Sequence, residues 1–459
     1  MAEDAVVIGG GPAGYATALH LAHRGVSVTM VTDEPPGGTC LHRGCVPSKT
    51  LLEAAKWLQL AGHASELGLH VEGSVVVDLP ALQARKRRIV ATLSSGLRQL
   101  LTSAGVSVVA GQGSLLPGDA LRVRVRGAEP GDIETEAVVL ALGSRPASLP
   151  VPGANLPGVL TSDQLLDLEE VPHRLCIVGG GALGCEFASA FSAFGSEVTV
   201  LEALPHLLPT ADEEVSRRLE ASFRRQGLIL KTGVGVRDIV SGLCVRTADG
   251  AEVAADTILV ATGRWPRTEG AGLSEVGINC GSRGEIVVDA QFRTTRPGVW
   301  AVGDAIGGPM LAHAGFAQAA VVAAHVAGQD PPVLGPIPHP VFCEPEVAWV
   351  GQTAQQAPEA RVVRIPYAAL GRARAIGDID GFCKVLAGED GRILGVHYVG
   401  PGATELVGMG ALALAQGMGV QALESVVLPH PTISEGLGEA ALALIGRPLH
   451  VPALRPGGR

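Results

Sequence analysis

Short apolar runs rich in valine and isoleucine alternate with glycine turns and helix-length stretches along most of the chain. Residues 5–8 form the first run; a glycine turn, a helix-like stretch to about His23 and a second run at 26–31 follow. The same order returns about 170 residues later: a run at 175–178, glycines, a helix-like stretch and a run at 198–201. Strands alternating with helical stretches predict a parallel sheet. One βαβ unit therefore occurs twice, and the chain is expected to be α/β with two Rossmann-like dinucleotide-binding domains. Residues 106–125 and 133–142 also read as strands. Gly/Pro-rich exits near Arg145 and Gly263 and a Pro-rich link near Gly335 mark breaks. Before the last break, GVWAVGDAIGGPMLAHAG predicts a strand, a Gly-Asp turn and a helix over 311–327. Beyond it, strands at 347–350, 384–386 and 393–399 alternate with apolar helices at 403–417 and 434–444. Residues 452–459 read as a loose tail.

Composition narrows the class. At 459 residues the chain holds two to four domains, and 47% hydrophobic against 17% charged residues excludes a disordered chain. The net charge of −10 argues against nucleic acid, and the short run Arg85, Lys86, Arg87, Arg88 reads as one solvated helix face. No uninterrupted apolar stretch predicts a membrane span, and the N-terminus lacks the pattern of a secretory signal. Eight cysteines are too few for a disulfide scaffold, so a cytoplasmic location is expected, with any disulfide catalytic rather than structural.

Gly9, Gly11 and Gly14 form G-x-G-x-x-G between a strand and a helix. Glycine there lets the backbone approach a pyrophosphate, which the helix N-terminus attracts through its unpaired N–H groups and dipole. An ordinary glycine turn is the plain alternative. An acid should follow about 20 residues on, to hold ribose hydroxyls. Thr32 stands at that strand end and Asp33 follows, so Asp33 is expected to take the ribose. Gly179, Gly181 and Gly184 repeat the pattern, and here Glu202 closes the strand in register. A carboxylate accepts from a 2′-hydroxyl and repels a 2′-phosphate, so the second site should take NAD rather than NADP.

Cys40 and Cys45 lie in GGTCLHRGCVPSK. In a regular helix their spacing gives a rise of about 7.5 Å, beyond the roughly 7 Å reach of a disulfide. A bridge needs an irregular turn, which Gly44 permits; two incidental buried cysteines are the alternative. Pro47 suggests a helix start nearby, which would lower a thiolate pKa. The other six cysteines read as small core residues, and no metal site is expected. Near the C-terminus, His430 precedes Glu435 at the start of the last helix. A histidine held by a carboxylate is a general acid–base unit, whereas a capping histidine is the structural reading. No other histidine shows a comparable arrangement in the sequence.

Taken in order, GGTCLHRGCVPSKTLL, AVGDAIGGPMLAH and HPTISE resemble the redox-helix, flavin and C-terminal His-Glu motifs of the class I flavin-dependent disulfide reductases. The resemblance spans nearly the whole chain and is strongest to members that oxidise dihydrolipoamide. It implies a FAD domain over 1–144, a NAD domain over 145–264, a central domain over 265–334 and an α+β dimerisation domain over 335–459. It further implies that Cys40 is the interchange sulfur, Cys45 the flavin-side thiolate, and His430 with Glu435 the base. The resemblance also implies that Lys49 lies near the flavin N5 and pairs with Glu186. Gly38, Thr39, Gly113, Ser144, Asp304, Met310, Leu311, Ala312 and His313 match FAD-contact positions; Glu186, Val236 and Gly263 match NAD-contact positions. The implied partners are a second copy of the chain and a lipoyl domain of an acyltransferase, or the glycine cleavage H protein. Reduction of another small disulfide, or a mainly structural place in an acyltransferase complex, are the alternatives.

Overall fold

The computed structural model describes residues 3–127 and 130–452. The loose tail expected from 452 therefore falls, from 453 on, outside the described residues. The chain divides into two compact units. One comprises residues 1–48, 83–147 and 263–334; the other comprises 49–82, 148–262 and 335–459.

In the first unit, Glu3–Ile8 lies parallel between Val28–Thr32 and Gly131–Leu140, with Ala5 opposite both Val28 and Ala137. Val299–Ala301 adds a further parallel strand beyond Gly131–Leu140. Ser107–Leu115 starts parallel to Val28–Thr32, then turns into an antiparallel meander through Leu121–Gly127. The apolar stretch at 106–125 is thus two strands, parted at Pro117 and at Gly118, whose φ is +134°. Val6, Val7, Val138 and Val139 are all buried, which is why consecutive rather than alternate positions are apolar. Helices Pro12–Ala22 and Ala312–Val326 pack together so closely that a Cβ on Gly315 would lie 3.0 Å from the Ala13 methyl.

The long helix Leu79–Ser103 carries the basic run. Arg85, Arg87 and Arg88 are exposed or half-exposed, but Lys86 is buried, so the run is not a single solvated face. Four consecutive side chains cover a full turn of about 3.6 residues, and one of them must point inward.

In the second unit, Ile229–Thr232, Glu197–Glu202, Arg174–Val178, Thr257–Val260 and Val159–Leu160 form a wholly parallel sheet in that order. Val236–Val240, Cys244–Thr247 and Glu252–Ala254 make a small antiparallel sheet. From His339 onward a five-stranded antiparallel sheet is backed by helices Ala403–Ala415 and Glu435–Leu444. Phe187, Phe191 and Phe223 are fully buried in this unit's core, each worth roughly 2–3 kcal/mol of apolar burial. Cys176, Cys185, Cys343 and Cys383 are buried as core residues, and burial pushes their thiols up. Cys244 is only half-buried and Cys280 is exposed beside an isolated bridge to Ile286, so these two are not core residues.

Asp212 caps helix Glu213–Arg225 and forms a fully buried 2.7 Å ion pair with Lys384. His397 stands opposite Lys384 across the antiparallel sheet, buried, with Nε2 2.9 Å from the Gln352 carbonyl. Burial holds its pKa down to about 4. The unfolded chain takes up this proton near pH 6.5, the folded chain only near 4, so folded stability is full above the first value and drains as pH falls through the second. The loss is up to about 3 kcal/mol. His397→Gln should flatten this acid limb in a plot of urea midpoint against pH; an unchanged limb would place the acid sensitivity elsewhere.

Candidate functional site

Cys40 and Cys45 are joined by a disulfide, with Cα atoms 4.7 Å apart. The short approach has a local cause. Helix Gly38–Arg43 stops at Gly44 (φ −143°, ψ −109°), and a second helix, Cys45–Gly62, starts at once. A Cβ on Gly44 would lie 3.0 Å from the Thr39 carbonyl oxygen, so a larger residue would push the turn open. Cys45 therefore opens an 18-residue helix, where the dipole favours a thiolate over a thiol.

The first helix is docked on the first glycine loop. Gly37 N–H donates to the Gly10 carbonyl at 2.7 Å, and a Cβ on Gly38 would lie 2.6 Å from Gly11 Cα. The loop itself is tightly built. A Cβ on Gly9 would meet the Ala141 carbonyl oxygen at 2.1 Å, and one on Gly14 would meet the Gly9 carbonyl oxygen at 1.9 Å. Gly11, by contrast, has open space before it and caps the N-terminus of Pro12–Ala22. The second loop repeats this: Cβ atoms on Gly179 and Gly184 would meet carbonyl oxygens at 2.4 and 1.9 Å, while Gly181 is open and caps Ala182–Ala193. Two cradles with blocked backs and open N–H-lined fronts suit two diphosphates. Glu202 is buried, its carboxylate accepting from the Gly180 and Leu204 amides at 2.6 and 2.8 Å.

Further residues cluster in the first unit. The Ser144 hydroxyl hydrogen-bonds the Asp304 carboxylate in the turn Gly303–Ile306. Arg264 completes this group, donating to Ser144 Oγ at 2.7 Å and to its carbonyl at 3.0 Å. Gln318 accepts from the Gly303 amide at 2.7 Å. Met310 holds φ +48°, rarely used by non-glycine residues, immediately before Leu311, which caps the helix containing Ala312 and His313. Gly113 lies on Ser107–Leu115 against Ile8, and Asp33 pairs with Arg267 beside it in one cleft. Thr39 sits within Gly38–Arg43.

In the second unit Lys49 Nζ lies 2.8 and 2.9 Å from the two carboxylate oxygens of buried Glu186. Phe342 supports the pair twice: its amide donates to Glu186 at 3.0 Å, and its ring centroid is 4.5 Å from Lys49 Nζ. Val236 starts the small antiparallel sheet. Gly263, at φ +113°, opens the last stretch of the first unit and accepts from the Ala147 amide. His430 Nδ1 is 2.8 Å from Glu435 Oε1, and the histidine side chain is 71% exposed. Burial pulls the Glu435 carboxyl up, but the Thr432 N–H and the His430 ring outweigh it and hold it below its usual range. A carboxylate thus holds Nδ1, leaving Nε2 as the proton-accepting atom.

Other histidines among the described residues also meet carboxylates, exposed His173 lying 4.0 Å from Glu197. His450 Nδ1 is 3.2 Å from Glu439, and His206 Nε2 is 3.2 Å from Glu213. Glu439 is buried and spends its carboxylate on the amides of Leu449, His450 and Val451, so that pair anchors backbone. Glu213 is shared with Arg217. Arg264, Phe342 and Arg267 are missed by sequence reasoning; the position of the two arginines just after the Gly263 exit is a signal for them, and no local pattern singles out Phe342.

Residues 3–319 match the family described as pyridine nucleotide-disulphide oxidoreductase, and residues 337–441 match its dimerisation domain, which supports a homodimer. A dihydrolipoyl dehydrogenase of Chlamydia muridarum is 36% identical over 99% of both chains. The crystal structure of LpdA from Mycobacterium tuberculosis superposes with TM-score 0.90 at 31% identity, covering 96% of this chain and 99% of that one. The HOCl-induced flavoprotein disulfide reductase RclA from Escherichia coli superposes at 0.85 and 30% identity, covering 95% of this chain and 99% of that one. With its paired cysteines, its two glycine cradles and these matches, the chain belongs to the pyridine nucleotide-disulphide oxidoreductases.

Proposed function

We propose that this chain is a dihydrolipoyl dehydrogenase, oxidising dihydrolipoamide to lipoamide and reducing NAD to NADH. The observation that carries this is the Cys40–Cys45 disulfide at a helix start, docked on a diphosphate cradle in the same unit. His430 Nε2 takes a proton from one substrate thiol. The resulting thiolate attacks Cys40 Sγ, breaking the bond to Cys45 and leaving Cys45 as a thiolate. The second substrate thiol then displaces Cys40, closing the product disulfide and leaving both cysteines reduced. The bound FAD would supply the two-electron acceptor between this dithiol and NAD; the Cys40–Cys45 bond re-forms as the pair leaves, and the overall balance is one hydride gained by NAD and one proton released. Gly9, Gly11, Gly14, Gly38, Thr39, Gly113, Ser144, Asp304 and residues 310–313 would hold FAD. Gly179, Gly181, Gly184, Glu202, Val236 and Gly263 would hold NAD. Lys49, fixed by Glu186, would place positive charge beside the bound flavin.

In this reading, residues 1–144, 145–264, 265–334 and 335–459 serve as FAD, NAD, central and interface domains. His430 of one subunit serves the cysteine pair of the other, which suits its exposure. The natural substrate is a lipoyl group on an acyltransferase or H protein, in the cytoplasm. Among the described residues no helix is long and apolar enough to cross a membrane. Steady-state turnover of the purified protein with dihydrolipoamide tests the reading, run with NAD beside NADP, glutathione disulfide and mercuric ion. NAD should exceed NADP by at least about tenfold, from the Glu202 charge alone. Comparable rates with NADP would refute the role of Glu202; turnover only with another disulfide would refute the substrate.

A further inference from the structure

The two glycine loops are built alike and differ at one place. In the second, the carboxylate of Glu202 at the strand end lies 3.3 Å from where a Gly180 Cβ would stand. In the first, Thr32 occupies the same place, its Oγ1 2.8 Å from a Cβ on Gly10. Thr32 is uncharged, and its hydroxyl proton is spent on the Glu34 carbonyl at 2.8 Å. The first loop thus lacks the acid that would receive ribose hydroxyls.

Charge is supplied from elsewhere. The cleft beside Thr32 is lined by Asp33, Gln112, Gly113, Leu142 and Arg267. Asp33 and Arg267 are paired across it, each about two-fifths exposed. Arg267 also lies 3.9 Å from Glu34, which Arg43 of the cysteine-bearing helix holds at 2.7 Å. A carboxylate paired to one guanidinium N–H keeps acceptor positions for two vicinal hydroxyls. A guanidinium is a planar cation suited to a purine face and to a neighbouring diphosphate.

We propose that Asp33 and Arg267 together hold the adenosine end of FAD in this chain, in place of a strand-end carboxylate at position 32. This rests on the reading of the chain as a flavoprotein. The test uses the full chain stripped of flavin and titrated with FAD or with FMN, which lacks the adenosine, followed by flavin fluorescence at low and high salt. Arg267→Ala and the near-isosteric Asp33→Asn should each weaken FAD by about ten- to hundredfold while FMN stays within about threefold. Arg267→Ala should also flatten the salt dependence of FAD binding, because it removes the cation that attracts the diphosphate. Thr32→Glu added to Arg267→Ala should recover at least about tenfold of the loss, by restoring the arrangement seen at Glu202. FAD affinity within about threefold of the parent in both variants, or FAD and FMN weakened alike, would overturn the proposal. Failure of the parent chain to bind any flavin would instead overturn the flavoprotein reading itself.

Discussion

Cys45→Ser should lower dihydrolipoamide:NAD turnover by at least about three orders of magnitude, to the limit of detection. A serine hydroxyl cannot form or break a sulfur–sulfur bond, so no partial route remains through position 45. Cys40→Ser should do the same, because the substrate thiolate then has no sulfur to attack. Neither change removes a packed side chain of the core clusters, and both leave Gly44 and its turn in place. Far-UV circular dichroism and the thermal midpoint should therefore stay close to those of the parent. Turnover persisting in either variant would refute the thiol relay, whatever the fold does.

The second large effect is at His430. His430→Ala should lower kcat/KM for dihydrolipoamide by about 10²–10⁴-fold, the span of a lost general base. Glu435→Gln should cost less, about ten- to hundredfold, because the amide still accepts from the ring and loses only the charge that favours imidazolium. The order of the two effects is the informative part. Glu435 touches His430 and the Thr432 amide, so it acts through the histidine. A Glu435→Gln loss larger than that of His430→Ala would reverse these roles. His450→Ala, at the look-alike pair with Glu439, should leave kcat/KM within about threefold, since that carboxylate anchors backbone amides.

The paired βαβ units are legible in the sequence because their strands are apolar at consecutive positions and each is followed by a glycine loop. The disulfide is legible less from spacing, which only permits a turn at Gly44, than from the flanking GGT and PSK that carry the family resemblance. Contacts between distant stretches are not legible in this way. Arg264 reaches Ser144 across 120 positions, and Arg267 reaches Asp33 across 234. No periodicity encodes such a meeting; only the fold brings the ends of separate strands together. The same limit explains Lys86, which a composition argument places on a charged surface and the helix turns inward. It explains the histidine–carboxylate pairs at His430, His206 and His450 as well: spacing singles out the one five residues apart, while the seven- and eleven-residue pairs depend on how turns fold back.

The proposed mechanism turns on a sulfur–sulfur bond between Cys40 and Cys45 that nicotinamide electrons can open reversibly. Anaerobic addition of NADH to the purified yellow protein, then alkylation under denaturing conditions and peptide mass mapping, tests it directly. Two new labels should arise, at Cys40 and Cys45, and none should be seen there without NADH. If NADH exposes no new thiols, or exposes them at other cysteines, the relay described here is not the one this protein uses.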